Sequence, residues 1–112
     1  MKNKTLNQRD VGDILSELKA ELKRLYKERL VSIILYGSYA RGEAAKGSDI
    51  DVTVVLKGKV SPGKEIDYML DTTTDLDLKY NTLISVYPVS EEAFRKVKSP
   101  LILNVRREGI NV

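Results

Sequence analysis

The chain has 112 residues, contains neither cysteine nor histidine, and carries a formal net charge of +3. Without cysteine it cannot form disulfides or thiolate metal sites, and without histidine it lacks every Ser-His or Cys-His nucleophile pair. Its chemistry must therefore use carboxylate, hydroxyl, amine and guanidinium groups, and oxygen ligands suit a hard cation such as magnesium or manganese. The mild positive charge fits a polyanionic ligand and fits an ordinary solvated surface equally well.

Length and composition favour one small domain over residues 1–112, with residues 1–6 as a frayed leader. No apolar run approaches the ~18 residues of a membrane helix, and the N-terminus lacks the pattern of a secretory signal. These features predict a cytoplasmic protein. The basic residues form no compact motif and are not interleaved with aromatic residues, so nucleic-acid binding has no support in the sequence.

The first predicted element is a long amphipathic helix over residues 8–30, in which apolar residues recur at a spacing of three and four. A buried strand over 31–36 follows, because this stretch is rich in β-branched and large apolar residues, and it ends at Gly37. Ser38 can then cap a short helix. A second strand is predicted over 49–56, where polar and apolar residues alternate.

The second half of the chain continues with a helix over 64–78 and a third strand over 82–87 that Pro88 is expected to end. Ser90 begins a short helix and Pro100 opens a last one. Helix, strand, strand, helix and strand joined by short connections predict an α/β (α+β) domain, a small mixed sheet with flanking helices.

Two features at the ends of the first two strands can carry chemistry. Gly37 and Ser38, here called the Gly-Ser turn, form a tight turn whose backbone N–H groups suit an anion. Asp49 and Asp51, here called the aspartate pair, project from one face of a strand, and a cation between them relieves their repulsion. Such a pair can hold magnesium ions that are bridged to a triphosphate.

The segments 35–42 and 48–52 together closely resemble the signature of the DNA polymerase β-like nucleotidyltransferase superfamily. The resemblance is closest to the minimal nucleotidyltransferases, which are small stand-alone domains of about this length. It implies that the Gly-Ser turn binds nucleotide phosphates and that the aspartate pair is catalytic and binds the metal. Arg41 matches an arginine of the family signature, which implies a nucleotide contact, while an internal ion pair with Glu43 or an aspartate is an equal alternative.

The resembling family has a third carboxylate on a neighbouring strand, and the position expected for it here is Asn81. An amide offers a metal one neutral oxygen but cannot act as a base. Ser85 lies on the same predicted face with the same limits. Asp75 and Asp77 are solvated helix-end acids unless the strand boundary is displaced by a few residues. Asn81 is therefore the expected catalytic residue beside the aspartate pair. Transfer of the nucleotide to an acceptor depends on this position more than nucleotide binding does.

These expectations describe a magnesium-dependent nucleotidyltransferase that moves a nucleoside monophosphate, AMP from ATP, to an acceptor hydroxyl. A chain of this length has little room for acceptor recognition, so a separate protein is expected to supply it. The resemblance implies that this partner is a helical HEPN-type toxin, with the chain as its antitoxin. A catalytically weak or inactive module that binds nucleotide and partner is one alternative, and a transferase acting on a small molecule or an RNA end is another. The preferred base and the oligomeric state stay open.

Overall fold

The structure is a computed structural model that describes residues 7–45 and 47–112, so the predicted frayed leader lies outside the described residues. The elements in chain order are α1 (Gln8–Tyr26), a 3-10 turn (Lys27–Arg29), β1 (Leu30–Tyr36), α2 (Ser38–Arg41), β2 (Ile50–Leu56), α3 (Pro62–Tyr80), β3 (Ile84–Ser90), α4 (Glu91–Lys96), α5 (Pro100–Glu108) and β4 (Ile110–Asn111). None of the helices in these two ranges is long and apolar enough to cross a lipid bilayer.

Within the described ranges, four strands form one mixed sheet in the order β3-β2-β1-β4. β1 pairs antiparallel with β2 and with β4, whereas β2 and β3 run parallel. The predicted small mixed sheet with flanking helices is confirmed. β2 occupies an inner position, and all of its residues from Val52 to Leu56 are buried.

The two faces of the sheet pack against different helices. Because side chains alternate along a strand, Val52 and Val54 of β2 join the main core formed with α1 and α3. Val55 points the other way, into a smaller cluster with Ile102 and Val105 of α5. The same alternation places Asp51 on the face that α5 partly covers.

α1 is shorter than the predicted helix. Asn7 and Asp10 form a capping box at its start, in which each side chain accepts from the other residue's backbone N–H. The helix ends at Tyr26, because Lys27 adopts a φ of 54° and its N–H bonds to the carbonyl of Lys23. The periodicity continued past this point, since Leu30 is apolar at helical spacing, but Leu30 begins β1.

The region between α3 and β3 departs most from the predicted elements. α3 runs to Tyr80 and ends at Asn81, which adopts the left-handed conformation at φ 52°. β3 begins only at Ile84 and continues through Pro88 to Ser90, so the predicted end of the strand at Pro88 is wrong. An edge strand tolerates proline, because a missing N–H removes no ladder bond on its open side.

A buried polar cluster ties α1, the 3-10 turn and α3 together. Glu65 is only 8% exposed. It accepts a hydrogen bond of 3.0 Å from the Tyr26 hydroxyl and forms an ion pair of 3.0 Å with Arg29. Burial, and then the hydrogen bond to Glu65, raise the pKa of Tyr26 above its ordinary value. Arg29 also donates to the carbonyl of Lys57 at 2.9 Å. The cluster therefore holds the loop after β2 as well as the three elements.

Candidate nucleotide-binding site

The Gly-Ser turn sits where β1 ends against the start of β2. Gly37 adopts a φ of 78°, and a Cβ atom built on it would overlap the Oδ2 atom of Asp51. A residue with a side chain is therefore excluded both by backbone conformation and by space. Ser38 follows as the first residue of α2, whose first turn closes through a 3.1 Å bond from the Arg41 N–H to the Gly37 carbonyl. The sequence placed these residues correctly at the strand end.

The aspartate pair lies directly beside this turn. Asp51 is opposite Tyr36, the last residue of β1, and Asp49 immediately precedes β2. Burial raises the pKa of the Asp51 carboxyl, the charge of Asp49 raises it further, and Arg41 partly offsets the rise. The structure thus brings Gly37, Asp49, Asp51 and Arg41 together. The predicted second strand began one residue too early, since Asp49 lies just outside β2.

Asn81 is not on the strand beside the aspartate pair. It is an exposed residue that ends α3, and β3 starts three positions later, so its predicted strand placement is wrong. The physical reason is that α3 continues to Tyr80 and ends at Asn81, because asparagine tolerates the left-handed conformation of the cap. The parallel register instead pairs Asp51 with Ser85. Ser85, rather than Asn81 or a carboxylate, is therefore the residue of the neighbouring strand that lies beside Asp51.

Asp77 lies near enough to Asp49 for that charge to raise its pKa, but its carboxylate has a structural partner. Its Oδ1 atom accepts a 2.8 Å hydrogen bond from the backbone N–H of Ile84, the first residue of β3. Burial raises the pKa of Asp77, the bond from Ile84 lowers it, and the charge of Asp49 raises it. Asp75 faces a different cleft, between α1 and α3, with Glu17. Neither acid completes a metal site, since the described residues contain no group of three acidic side chains placed to hold a metal ion.

Arg41 forms ion pairs with two glutamates of the same chain. Its Nε atom donates to Glu43 at 2.8 Å, and its Nη1 atom donates to both carboxylate oxygens of Glu108 at 3.1 and 3.3 Å. The ion pair with Glu43 is the alternative that the sequence left open. Glu108 was missed because it lies 67 residues away at the end of α5, and no local pattern indicates such a contact.

Two polar residues, Tyr36 and Thr53, lie on the sheet face beneath the pair. Burial, followed by the charge of Asp51, raises the pKa of Tyr36. Thr53 is completely buried two residues after Asp51, and its hydroxyl has no hydrogen-bond partner within the described part of the chain. Tyr36 is paired with Asp51 by the strand register, whereas Thr53 shares the face of Asp51 because it follows it by two residues on β2.

The donor set fits a small divalent cation. The charge of Asp49 raises the pKa of Asp51, a cation bound beside the two carboxylates would relieve that repulsion, and oxygen ligands match magnesium. With two protein carboxylates, the remaining coordination positions fall to phosphate oxygens and water. The adjacent turn offers backbone N–H groups and a hydroxyl, which are donors for phosphate. The arrangement can therefore hold a metal-bound triphosphate.

Comparisons with known proteins agree with this chemistry. The family model described as "Nucleotidyltransferase domain" matches residues 15–103. The chain is 41% identical over 96 residues to "Putative protein adenylyltransferase MJ0604" of Methanocaldococcus jannaschii, covering 85% of this chain and 90% of the relative. The matched region spans both the Gly-Ser turn and the aspartate pair.

Solved structures share the fold at lower identity. The "Structure of putative minimal nucleotidyltransferase" matches with a TM-score of 0.56 and 23% identity, covering 96% of this chain and all of that one. A chain in the complex of tri-AMPylated Shewanella oneidensis HEPN toxin with MNT antitoxin matches with a TM-score of 0.52 and 17% identity, covering 88% of this chain and 70% of that one. The resemblance seen in the signature residues is thereby confirmed, and the chain belongs to the nucleotidyltransferase domain family.

Proposed function

We propose that this nucleotidyltransferase moves AMP from magnesium-bound ATP to a hydroxyl group of a separate, HEPN-type partner protein. The observation that carries the proposal is the contact between the Gly-Ser turn and the aspartate pair. Gly37 leaves no room for a side chain because Asp51 lies against it, so phosphate donors and metal ligands share one small region. A metal-bound triphosphate needs both kinds of group within a few ångströms of each other.

Each group has a distinct role in the proposed reaction. Asp49 and Asp51 would hold magnesium, which when bound neutralises phosphate charge. Ser38 and the backbone of the turn hold and orient the triphosphate. The acceptor oxygen bonds to the α-phosphorus, the bond from that phosphorus to the bridging oxygen breaks, and pyrophosphate leaves. The hydroxyl proton passes to water, because Ser85 rather than a carboxylate stands beside Asp51.

The choice of AMP and of a protein acceptor draws on the relatives. The relative in Methanocaldococcus jannaschii is named a protein adenylyltransferase. One structural neighbour is a complex between an AMPylated HEPN toxin and an MNT antitoxin. A tyrosine hydroxyl of a HEPN-type protein is therefore the acceptor that we propose, and the chain would act as the antitoxin of such a pair.

Label transfer tests this proposal. The protein is incubated with α-labelled ATP, magnesium and the protein encoded next to it, and the label on each protein is counted. We expect label on the partner, with Asp49→Asn and Asp51→Asn reducing it by at least about a hundredfold, since both ligands of the metal act in the same step. Asp67→Asn, on the exposed side of α3, is the matched control. Equal labelling by all four proteins would refute the proposal.

A second function has one observation in its favour. Ser85, which is not a carboxylate, stands beside Asp51. In this second function the chain binds nucleotide and partner without catalysing AMP transfer. Thermal stabilisation by magnesium and ATP without pyrophosphate release would identify such a binding module. Pyrophosphate release that depends on the aspartate pair would exclude it.

A further inference from the structure

Arg41 is clamped on two sides by carboxylates from different parts of the chain. Glu43 follows α2 by two residues and takes the Nε donor, while Glu108 ends α5 and takes the Nη1 donor with both of its oxygens. A guanidinium group has five N–H donors in a planar fork. Within the described ranges the Nη2 atom has no hydrogen-bond partner, so one edge of the fork stays available.

The two clamps differ in burial. The Glu108 side chain is 16% exposed, whereas that of Glu43 is 66% exposed. Ion pairs weaken as exposure to water rises, so Glu108 restrains the guanidinium more strongly than Glu43 does. The hydrogen bond from Arg41 keeps the pKa of Glu108 below its ordinary value, and the backbone N–H of Gly37 adds to this effect. Glu108 is thus bound to Arg41 through both of its carboxylate oxygens.

Glu108 is itself held in place by its neighbours. The N–H of Gly109 bonds to the Val105 carbonyl at 2.8 Å, and Gly109 packs so closely on Ile34 of β1 that a Cβ atom would collide with it. The next residue, Ile110, pairs with Leu35 of β1. The end of α5 is therefore fixed to the strand that leads into the turn.

We propose that Glu108 is a positioning residue of the nucleotide site, which holds Arg41 so that its Nη2 edge faces the bound triphosphate. This inference rests on the proposed function, since it requires nucleotide at the Gly-Ser turn. Arg41 ends the short helix that Ser38 begins, and its backbone N–H bonds to the Gly37 carbonyl at 3.1 Å, so the arginine is anchored directly beside the Gly-Ser turn. A fixed guanidinium pairs with phosphate at lower entropic cost than a mobile one.

The test measures the Kd of a magnesium-bound, non-hydrolysable ATP analogue by calorimetry. We expect Glu108→Gln to weaken binding about three- to tenfold, because it keeps the shape but loses the charge that restrains Arg41. Glu108→Asp should recover part of the affinity. In an Arg41→Gln background, Glu108→Gln should change the Kd by less than about twofold. At saturating ATP the kcat should stay unchanged, since the clamp acts on binding.

A charge-matched control variant comes from α4. Glu92→Gln removes an exposed ion pair with Lys96 and should leave the Kd unchanged. Unchanged or tighter binding by Glu108→Gln would overturn the inference, as would an equal loss of affinity when Arg41 is already absent. If Glu108→Gln lowers the Tm severely, Glu108→Asp in both backgrounds decides the question. Failure of the wild-type protein to bind the analogue would instead overturn the proposed function.

Discussion

The folded protein without a bound metal disfavours the ionised form of the Asp51 carboxyl. Its pKa is raised by burial and by Asp49, so its ionisation costs stability as pH rises through the folded value. We expect Asp51→Asn to raise the Tm at pH 7 by about 2–5 °C in the absence of metal, and the gain to shrink as the pH falls through the raised pKa of Asp51, where the native carboxyl takes up its proton. Scanning fluorimetry with added EDTA measures this. Asp67→Asn is the control, and a lower Tm for Asp51→Asn at pH 7 would contradict the prediction.

Gly37 is required for two separable reasons, its positive φ and its contact with Asp51. We expect Gly37→Ala to weaken binding of a magnesium-bound ATP analogue by about tenfold or more, because the new methyl group displaces the Asp51 carboxylate. Gly58 has nearly the same φ, 79°, but nothing lies within 4 Å of a Cβ built there. Gly58→Ala is therefore the matched control for backbone strain. Equal affinity of the two variants would show that the contact with Asp51 does not matter for binding.

At the scale of the element, the register between β2 and β3 decides which residue faces Asp51. Because that residue is Ser85, Ser85→Asp adds a carboxylate beside the pair, whereas Asn81→Asp adds one outside the sheet. We expect Ser85→Asp to raise the rate of pyrophosphate release about tenfold or more, since a positioned base contributes that much in other enzymes. Asn81→Asp should leave the rate within about twofold. The opposite ranking would contradict the observed register.

At the same scale, the cluster around Glu65 joins α3 to α1 and to the 3-10 turn. Removing its carboxylate leaves the buried Tyr26 hydroxyl and part of the Arg29 guanidinium without their acceptor. We expect Glu65→Ala to lower the free energy of unfolding by about 2–4 kcal/mol, as measured by urea denaturation. Glu21→Gln, which affects only an exposed ion pair with Arg24, should change it by less than about 0.5 kcal/mol. A similar effect of both variants would exclude a structural role for the cluster.

Over the whole molecule, local patterns predicted most of the elements. The three main strands and the long helices follow from periodicity and composition, whereas the link between the Gly-Ser turn and the aspartate pair came from the family resemblance. The errors lie where one residue's backbone conformation overrides the pattern. Lys27 ends α1 early, and Asn81 ends α3 late, through positive φ angles that no apolar spacing signals.

Contacts between distant segments were the other source of missed residues. Glu108 reaches Arg41 across 67 positions, and Glu65 reaches Arg29 across 36. Such pairs depend on how α5 and α3 dock on the sheet, which one sequence does not specify. Ser85 was named from the sequence as lying on the same face as Asn81, but its place directly beside Asp51 follows from strand register rather than from any local signal.

The central claim is that the Gly-Ser turn and the aspartate pair together hold a metal-bound triphosphate. Calorimetric titration with a non-hydrolysable ATP analogue, with and without magnesium, tests it most directly. We expect one molecule to bind per chain only when magnesium is present, and Asp49→Asn or Asp51→Asn to weaken binding by at least about tenfold, because each removes a charged metal ligand. Binding that is equal without magnesium, or unchanged in both variants, would contradict the claim.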